Sequence, residues 1–178
     1  MIDTYINDIK KSLSEELYFS ALSLALTLPD ICGSVEFPNK QIHERYIKWY
    51  DNYIGSYLKE VSDKTSPGNP YLSGEVVYNL RNCFLHNGQP GIVTKKIKDE
   101  SNKITKFLLF VGDSRGLQEF TISVLDMPFK AMVVDVSYLC DLICDAALYY
   151  YNENKDRFTF DYSIMTESQL FGEIKVND

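Results

Sequence analysis

The chain has 178 residues, of which 45% are hydrophobic and 24% are charged, and its formal net charge is −7. This size and composition predict one globular domain with a substantial core. The acidic balance argues against broad electrostatic capture of nucleic acid, because phosphate binding depends on lysine and arginine side chains.

No targeting or membrane segment is predicted from the first third of the chain. The apolar run from Leu17 to Leu28 contains polar residues and is too short to cross a bilayer. The four cysteines lack the close, repeated spacing of a disulfide framework, which favours reduced core thiols. We therefore expect a cytoplasmic protein.

Two long amphipathic helices are predicted first. Apolar residues recur at helical spacing from Ile6 to Leu28, and Pro29 forbids continuation, so the first helix should cover residues 3–28. Asn39 is the candidate cap of the second helix. The apolar face of that second helix carries Ile42, Tyr46, Trp49, Tyr53, Tyr57 and Val61.

A third helix follows the turn-rich linker at 63–70. Ser73 is its candidate cap, with Glu75 in the first turn. The helix should end at His86, because the Asn-Gly pair that follows readily adopts the left-handed conformation.

A small antiparallel β-hairpin is predicted in an insertion at about 91–126. The apolar run 104–111 and the alternating segment 119–125 are its candidate strands. A fourth helix should cover about 131–155, and residues 156–178 form a tail whose alternation suggests an edge strand.

The predicted fold is therefore mainly α. An antiparallel bundle of four principal helices would form one domain over residues 1–155, with the β-hairpin inserted between its third and fourth helices.

The third helix carries the strongest candidates for catalytic residues. On an ideal helix Arg81 and His86 lie about 140° apart, so one helix alone cannot bring both onto one substrate atom. Two copies packed about a twofold axis would let both side chains line a shared cleft. An imidazole that moves protons beside a guanidinium that holds phosphate charge suits metal-independent phosphoryl transfer within RNA.

A purely structural interpretation of these two residues also exists. A histidine at a helix carboxyl end stabilises the helix dipole, and an arginine on the surface often pairs with an acidic neighbour.

The order Arg81, Asn82, Cys83-Phe84-Leu85, His86 resembles the Arg-polar-x3-His motif of the HEPN superfamily. The resemblance implies a small helical bundle that acts as a homodimeric, metal-independent endoribonuclease, often in toxin–antitoxin, antiphage or RNA-processing systems. It implies that His86 acts as general acid or base, that Arg81 stabilises the phosphate, and that Asn82 orients His86 or the phosphate. The products would carry 2′,3′-cyclic phosphate and 5′-hydroxyl ends.

A lysine-rich segment follows the third helix. Residues 93–106 contain five lysines against two acidic residues and form either a solvated loop or an RNA-guiding patch. The lysines are Lys95, Lys96, Lys98, Lys103 and Lys106.

Other polar residues are predicted to be structural. His43 is expected to be an exposed helical histidine. Cys140 and Cys144 lack the spacing of a zinc knuckle, and Asp141 with Asp145 fits the charged face of a bundle helix, so no metal is assigned. No nucleotide-binding or hydrolase motif occurs, so no cofactor is expected.

Two functions from different classes follow. The first is an HEPN-like ribonuclease whose partners are RNA and a second copy of the chain. The second is a non-catalytic helical module that binds a protein partner, for example an antitoxin.

Overall fold

The structure is a computed structural model that describes residues 1–65, 67–68, 70–87, 104, 106–112, 131–159, 165–166 and 168, with the backbone only at 86 and 87. The helices are α1 (Ile2–Ser14), α2 (Tyr18–Ala25), α3 (Leu28–Glu36), α4 (Ile42–Tyr50), α5 (Ser56–Thr65), α6 (Gly74–Asn82) and α7 (Val136–Glu153). π-Helical turns follow α4 at Asp51–Gly55 and α6 at Cys83–Asn87, and the strands are β1 (Lys106–Phe110) and β2 (Ala131–Asp135). The described chain is mainly helical with a small sheet, as predicted.

The predicted single helix over 3–28 is wrong, because the chain is broken twice. Glu16 has a φ of 58°, in the left-handed region, and α1 ends before it. A turn at residues 26–27 then separates α2 from α3. Pro29 does not end a helix but lies in the first turn of α3, where a missing N–H costs no helical hydrogen bond.

α2 and α3 together form an apolar segment of the chain. Among the described residues, only Tyr18–Glu36 has the length and composition of a membrane span. It is broken into two helices rather than one, and 44% of its most apolar window is buried inside the protein. Leu22, Leu28 and Cys32 of this segment belong to the buried core.

The second predicted helix is confirmed as a continuous helical run through α4, the π-turn and α5. Its predicted cap is wrong, because Gln41 rather than Asn39 holds the N-cap position. The third helix is confirmed together with its cap: the Ser73 hydroxyl accepts a hydrogen bond from the Val76 N–H at 3.3 Å. The π-turn then extends this helix to Asn87.

α4 and α6 cross closely because Gly74 has no side chain. A Cβ at position 74 would lie 2.7 Å from the carbonyl oxygen of Ile47. Oδ1 of Asp51 accepts a hydrogen bond from the Gly74 N–H at 2.7 Å, so the π-turn after α4 helps to cap α6. The contact holds α6 in a defined position against its neighbour.

Burial raises the pKa of Asp51 above its ordinary value of 3.8; the Gly74 hydrogen bond opposes this and the charge of Glu75 adds to it. Because the folded state binds the Asp51 proton more tightly than the unfolded state, this group stabilises the fold at pH values below 3.8. The stabilisation is lost as the pH rises from 3.8 through the raised pKa. Asp51→Asn keeps the hydrogen-bond acceptor without the charge. The free energy of unfolding of this variant, relative to that of wild type, should therefore rise as the pH increases through the raised pKa of Asp51. Asp51→Ala should lose about 1–3 kcal/mol, because the Gly74 N–H loses its acceptor. Urea unfolding from pH 3 to 7 measures both effects, and a parallel pH dependence of wild type and Asp51→Asn would contradict the assignment.

The predicted strand at 104–111 is confirmed as β1, but its predicted pairing is not. β1 pairs with β2 in parallel, with Lys106 opposite Ala131 and Phe110 opposite Asp135. The predicted antiparallel partner, 119–125, lies outside the described residues.

The predicted start of the fourth helix at 131 is wrong. The sequence "AMVVD" forms β2, and α7 begins at Val136, where the Asp135 carboxylate accepts a hydrogen bond from the Tyr138 N–H at 3.2 Å. A short apolar run with two adjacent valines suits a buried strand, and hydrophobic period alone cannot distinguish it from a helix.

α7 lies at the centre of the fold. It packs against α1, α2, α3 and the π-turn after α4. The largest fully buried side chains are Trp49, Tyr46, Tyr50 and Tyr150. Tyr57, which was predicted on the apolar face of the second helix, is exposed, and so is Tyr149.

The beginning of the predicted tail is anchored to α3. Nη1 of Arg157 donates to a Glu36 carboxylate oxygen at 3.0 Å, and Nη2 donates to the Val35 carbonyl at 2.7 Å. Residues 158–159 are not in a strand, and 160–164 lie outside the described residues. The domain boundary at 155 stays a prediction.

Candidate functional site at the end of helix α6

Arg81 and Asn82 lie in the last turn of α6, and both are half-buried. Nη1 of Arg81 donates a hydrogen bond to Oδ1 of Asn82 at 3.2 Å. Cζ of Arg81 lies 5.9 Å from the centre of the Tyr78 ring, within the range of a cation–π contact. Asn82 and Tyr78 therefore hold the guanidinium in place. The Asn82 role implied by the resemblance concerns His86 or the phosphate, whereas its carboxamide here contacts Arg81.

His43 contacts the same tyrosine from the neighbouring helix. Its ring centre lies 4.9 Å from that of Tyr78, with the planes at 78°, so the two rings meet edge to face. The predicted exposure of His43 is confirmed, and its contact with Tyr78, the ring that Arg81 also contacts, was not predicted. The spacing of His43, Tyr46 and Tyr50 along one helical stripe was the available signal, because it places His43 at the margin of a buried aromatic face.

Tyr46 packs beneath the cluster formed by His43, Tyr78 and Arg81. Its ring centre lies 5.2 Å from that of Tyr78. Its hydroxyl is buried and has no hydrogen-bond partner in the part of the chain that the structure describes. Burial raises the pKa of Tyr46, and the positive charge of Arg81 acts in the opposite direction. Tyr46 therefore supports the cluster as a neutral aromatic side chain.

The π-turn at Cys83–Asn87 alters the geometry between Arg81 and His86. In a π-turn the hydrogen bond joins residues five apart, so the chain rotates less per residue than in an α-helix. Position 86 is consequently turned back towards the side of position 81, and the separation of about 140° expected for an ideal α-helix is reduced. π-Turns inside helices occur frequently at functional sites. The side chain of His86 lies outside what the structure describes.

Of the five predicted RNA-guiding lysines, Lys106 alone is within the described residues, at the start of β1 and half-exposed. The others, Lys95, Lys96, Lys98 and Lys103, lie outside them. The proposed basic patch stays a prediction.

Cys140 and Cys144 are free and buried in α7. Burial raises the pKa of both thiols, that of Cys144 to about 12, which disfavours the thiolate that a metal requires. The described residues contain no group of three or more histidine, cysteine or acidic side chains that could hold a metal ion. Asp141 and Asp145 line a groove of about 620 Å³ together with Lys10.

Comparison of the chain with protein-family models, with curated proteins and with solved structures yields no match.

Proposed function

We propose that this chain is a metal-independent endoribonuclease of the HEPN type that acts as a cytoplasmic homodimer. The observation that carries the proposal is the guanidinium of Arg81, held by Asn82 and Tyr78 immediately before the π-turn that bears position 86. The antiparallel bundle of four principal helices stays part of this proposal, with α1 and α2 in place of the single first helix predicted over residues 3–28.

The reaction is an in-line displacement at phosphorus. The ribose 2′-oxygen attacks the phosphate and loses its proton to a general base, while the bond from phosphorus to the 5′-oxygen breaks. A general acid protonates the departing 5′-oxygen, which leaves a 2′,3′-cyclic phosphate and a 5′-hydroxyl. Histidine suits either proton transfer because its ordinary pKa lies near neutrality. Arg81 stabilises the negative charge on the phosphate oxygens.

In the proposed dimer each copy brings one Arg81 and one His86 to a shared cleft. An exposed apolar surface beside the end of α6 supports this part of the proposal. Phe19 is 74% exposed, and its ring stacks on that of Phe84 in the π-turn, with the ring centres 5.6 Å apart. Phe19 also lines an apolar groove with Leu109 and Val111. We call Phe19, Phe84, Leu109 and Val111 the apolar strip.

Exposed contiguous apolar surface of this kind marks an interaction face. In the proposed dimer the apolar strip packs against its symmetry mate and brings the two α6 ends together. The same observation favours a second candidate function, a non-catalytic module whose apolar strip binds a different protein, such as an antitoxin.

Phe19→Glu should shift the chain from dimer to monomer. A buried aromatic anchor contributes about 2 kcal/mol or more to an interface, so the dimer dissociation constant should rise about 30-fold or more. The fold should be retained because the side chain is 74% exposed. Sedimentation velocity over a concentration series measures the effect. Tyr149→Glu, at a site that is 63% exposed on α7, is the matched control.

A wild-type chain that is monomeric at micromolar concentration would contradict the dimer. A Phe19→Glu variant as dimeric as wild type would contradict the apolar strip as its interface.

The direct test of the proposed function is incubation of purified protein with mixed RNA in excess EDTA, followed by end-group analysis. Wild type should leave cyclic phosphate ends, and His86→Ala should leave the RNA intact. Intact RNA with folded wild-type protein, together with a stable complex with another protein, would favour the interaction module.

A further inference from the structure

We propose that His43 is a second catalytic histidine of this site, where it contacts the scissile phosphodiester beside Arg81 and performs one of the two proton transfers. The inference rests on the proposed function and adds a residue to it. The motif that suggests the ribonuclease does not contain His43.

The first support is the position of His43. The side chain of His43 is exposed, and its ring meets that of Tyr78 edge to face with the ring centres 4.9 Å apart. Cζ of Arg81 lies 5.9 Å from the centre of the same Tyr78 ring. One aromatic ring thus holds both a proton-transfer group and a cation. In the proposed complex both groups reach the phosphodiester from this shared neighbour, Tyr78.

The second support is the rigidity of this arrangement. His43 belongs to α4, whereas Tyr78 and Arg81 belong to α6. The two helices can approach closely because Gly74 has no side chain, and the Asp51 carboxylate accepts a hydrogen bond from the Gly74 N–H. The imidazole is therefore positioned by two crossing helices and not by a loop, as catalysis requires.

His43→Phe tests the inference, because phenylalanine retains an aromatic edge against Tyr78 but cannot transfer a proton. The variant should lose about 100-fold or more in kcat with little change in KM, the effect expected for loss of a general acid or base. Its thermal unfolding should match wild type. Lys48→Ala, at an exposed site on the same helix, is the control for a surface change on α4. His43→Phe cleaving RNA at the wild-type rate, while Arg81→Ala does not cleave, would overturn the inference and leave the proposed ribonuclease intact.

A second measurement does not depend on cleavage. It is needed if the wild-type protein is inactive, because the proposed ribonuclease activity and the proton transfer by His43 would then both be contradicted. The two histidine ring signals in a proton NMR spectrum are assigned by the loss of one in His43→Phe. A non-cleavable 2′-O-methyl oligoribonucleotide should shift the His43 signal in wild type and not in Arg81→Ala. A shift would uphold the contact with the phosphodiester, and an unmoved His43 signal would overturn that contact as well.

Discussion

Arg81→Ala is expected to lower the rate of RNA cleavage by about 100- to 1,000-fold, the effect of removing one preorganised donor to transition-state charge. The guanidinium is oriented in advance by Asn82 and Tyr78, so little reorganisation is needed when the phosphate becomes more negative. Single-turnover cleavage with protein in excess measures the loss. The far-UV circular dichroism spectrum should remain that of wild type.

Arg81→Lys separates charge from geometry. Lysine keeps the positive charge but lacks the planar guanidinium that binds two phosphate oxygens at once, so most of the rate should still be lost. Arg157→Ala removes another arginine, one that pairs with Glu36, and should retain cleavage. Wild-type cleavage by Arg81→Ala would remove Arg81 from the site.

Gly74→Ala is expected to lower the free energy of unfolding by about 1–3 kcal/mol, as overpacking of a close contact does. Helix propensity alone predicts the opposite sign, a gain of about 1 kcal/mol for replacing a helical glycine with alanine. The added Cβ would lie 2.7 Å from the Ile47 carbonyl oxygen and 3.0 Å from its Cα, and neither atom belongs to a side chain that can move away. Packing should therefore outweigh propensity.

The same substitution should reduce RNA cleavage, because it displaces α6 relative to α4. Urea unfolding and single-turnover cleavage on the same preparation measure the two effects. A Gly74→Ala variant more stable than wild type would contradict the prediction, because it would show that α4 and α6 can move apart without lowering the free energy of unfolding.

The local signals in the sequence were sufficient for α6. Ser73 offers a hydroxyl at the N-cap, and the apolar stripe of the helix matches residues that are buried in the structure, including Val76 and Leu80. Arg81 and Asn82 were named as candidate site residues from the same stretch, but the hydrogen bond between them was not predicted. These features depend on neighbours within a few residues, so a single sequence contains them.

The failures have physical reasons as well. The apolar period from Ile6 to Leu28 continues across the break at Glu16, because three short helices that pack on one core present the same periodicity as one long helix. β2 was assigned to a helix because hydrophobic period alone does not distinguish a short buried strand from a helix, and its pairing with β1 is a contact between distant residues.

The sequence by itself determined the mainly helical class, the position and cap of α6, the aromatic core stripe of α4 and the residues from which a phosphate site could be built. Only the tertiary structure decided that His43 and Arg81 contact the same Tyr78 ring, that the sheet is parallel, and that position 86 lies in a π-turn. The first group follows from hydrogen bonding and burial within one helix. The second depends on how closely two helices cross, which Gly74 and Asp51 decide through contacts with residues distant in the chain.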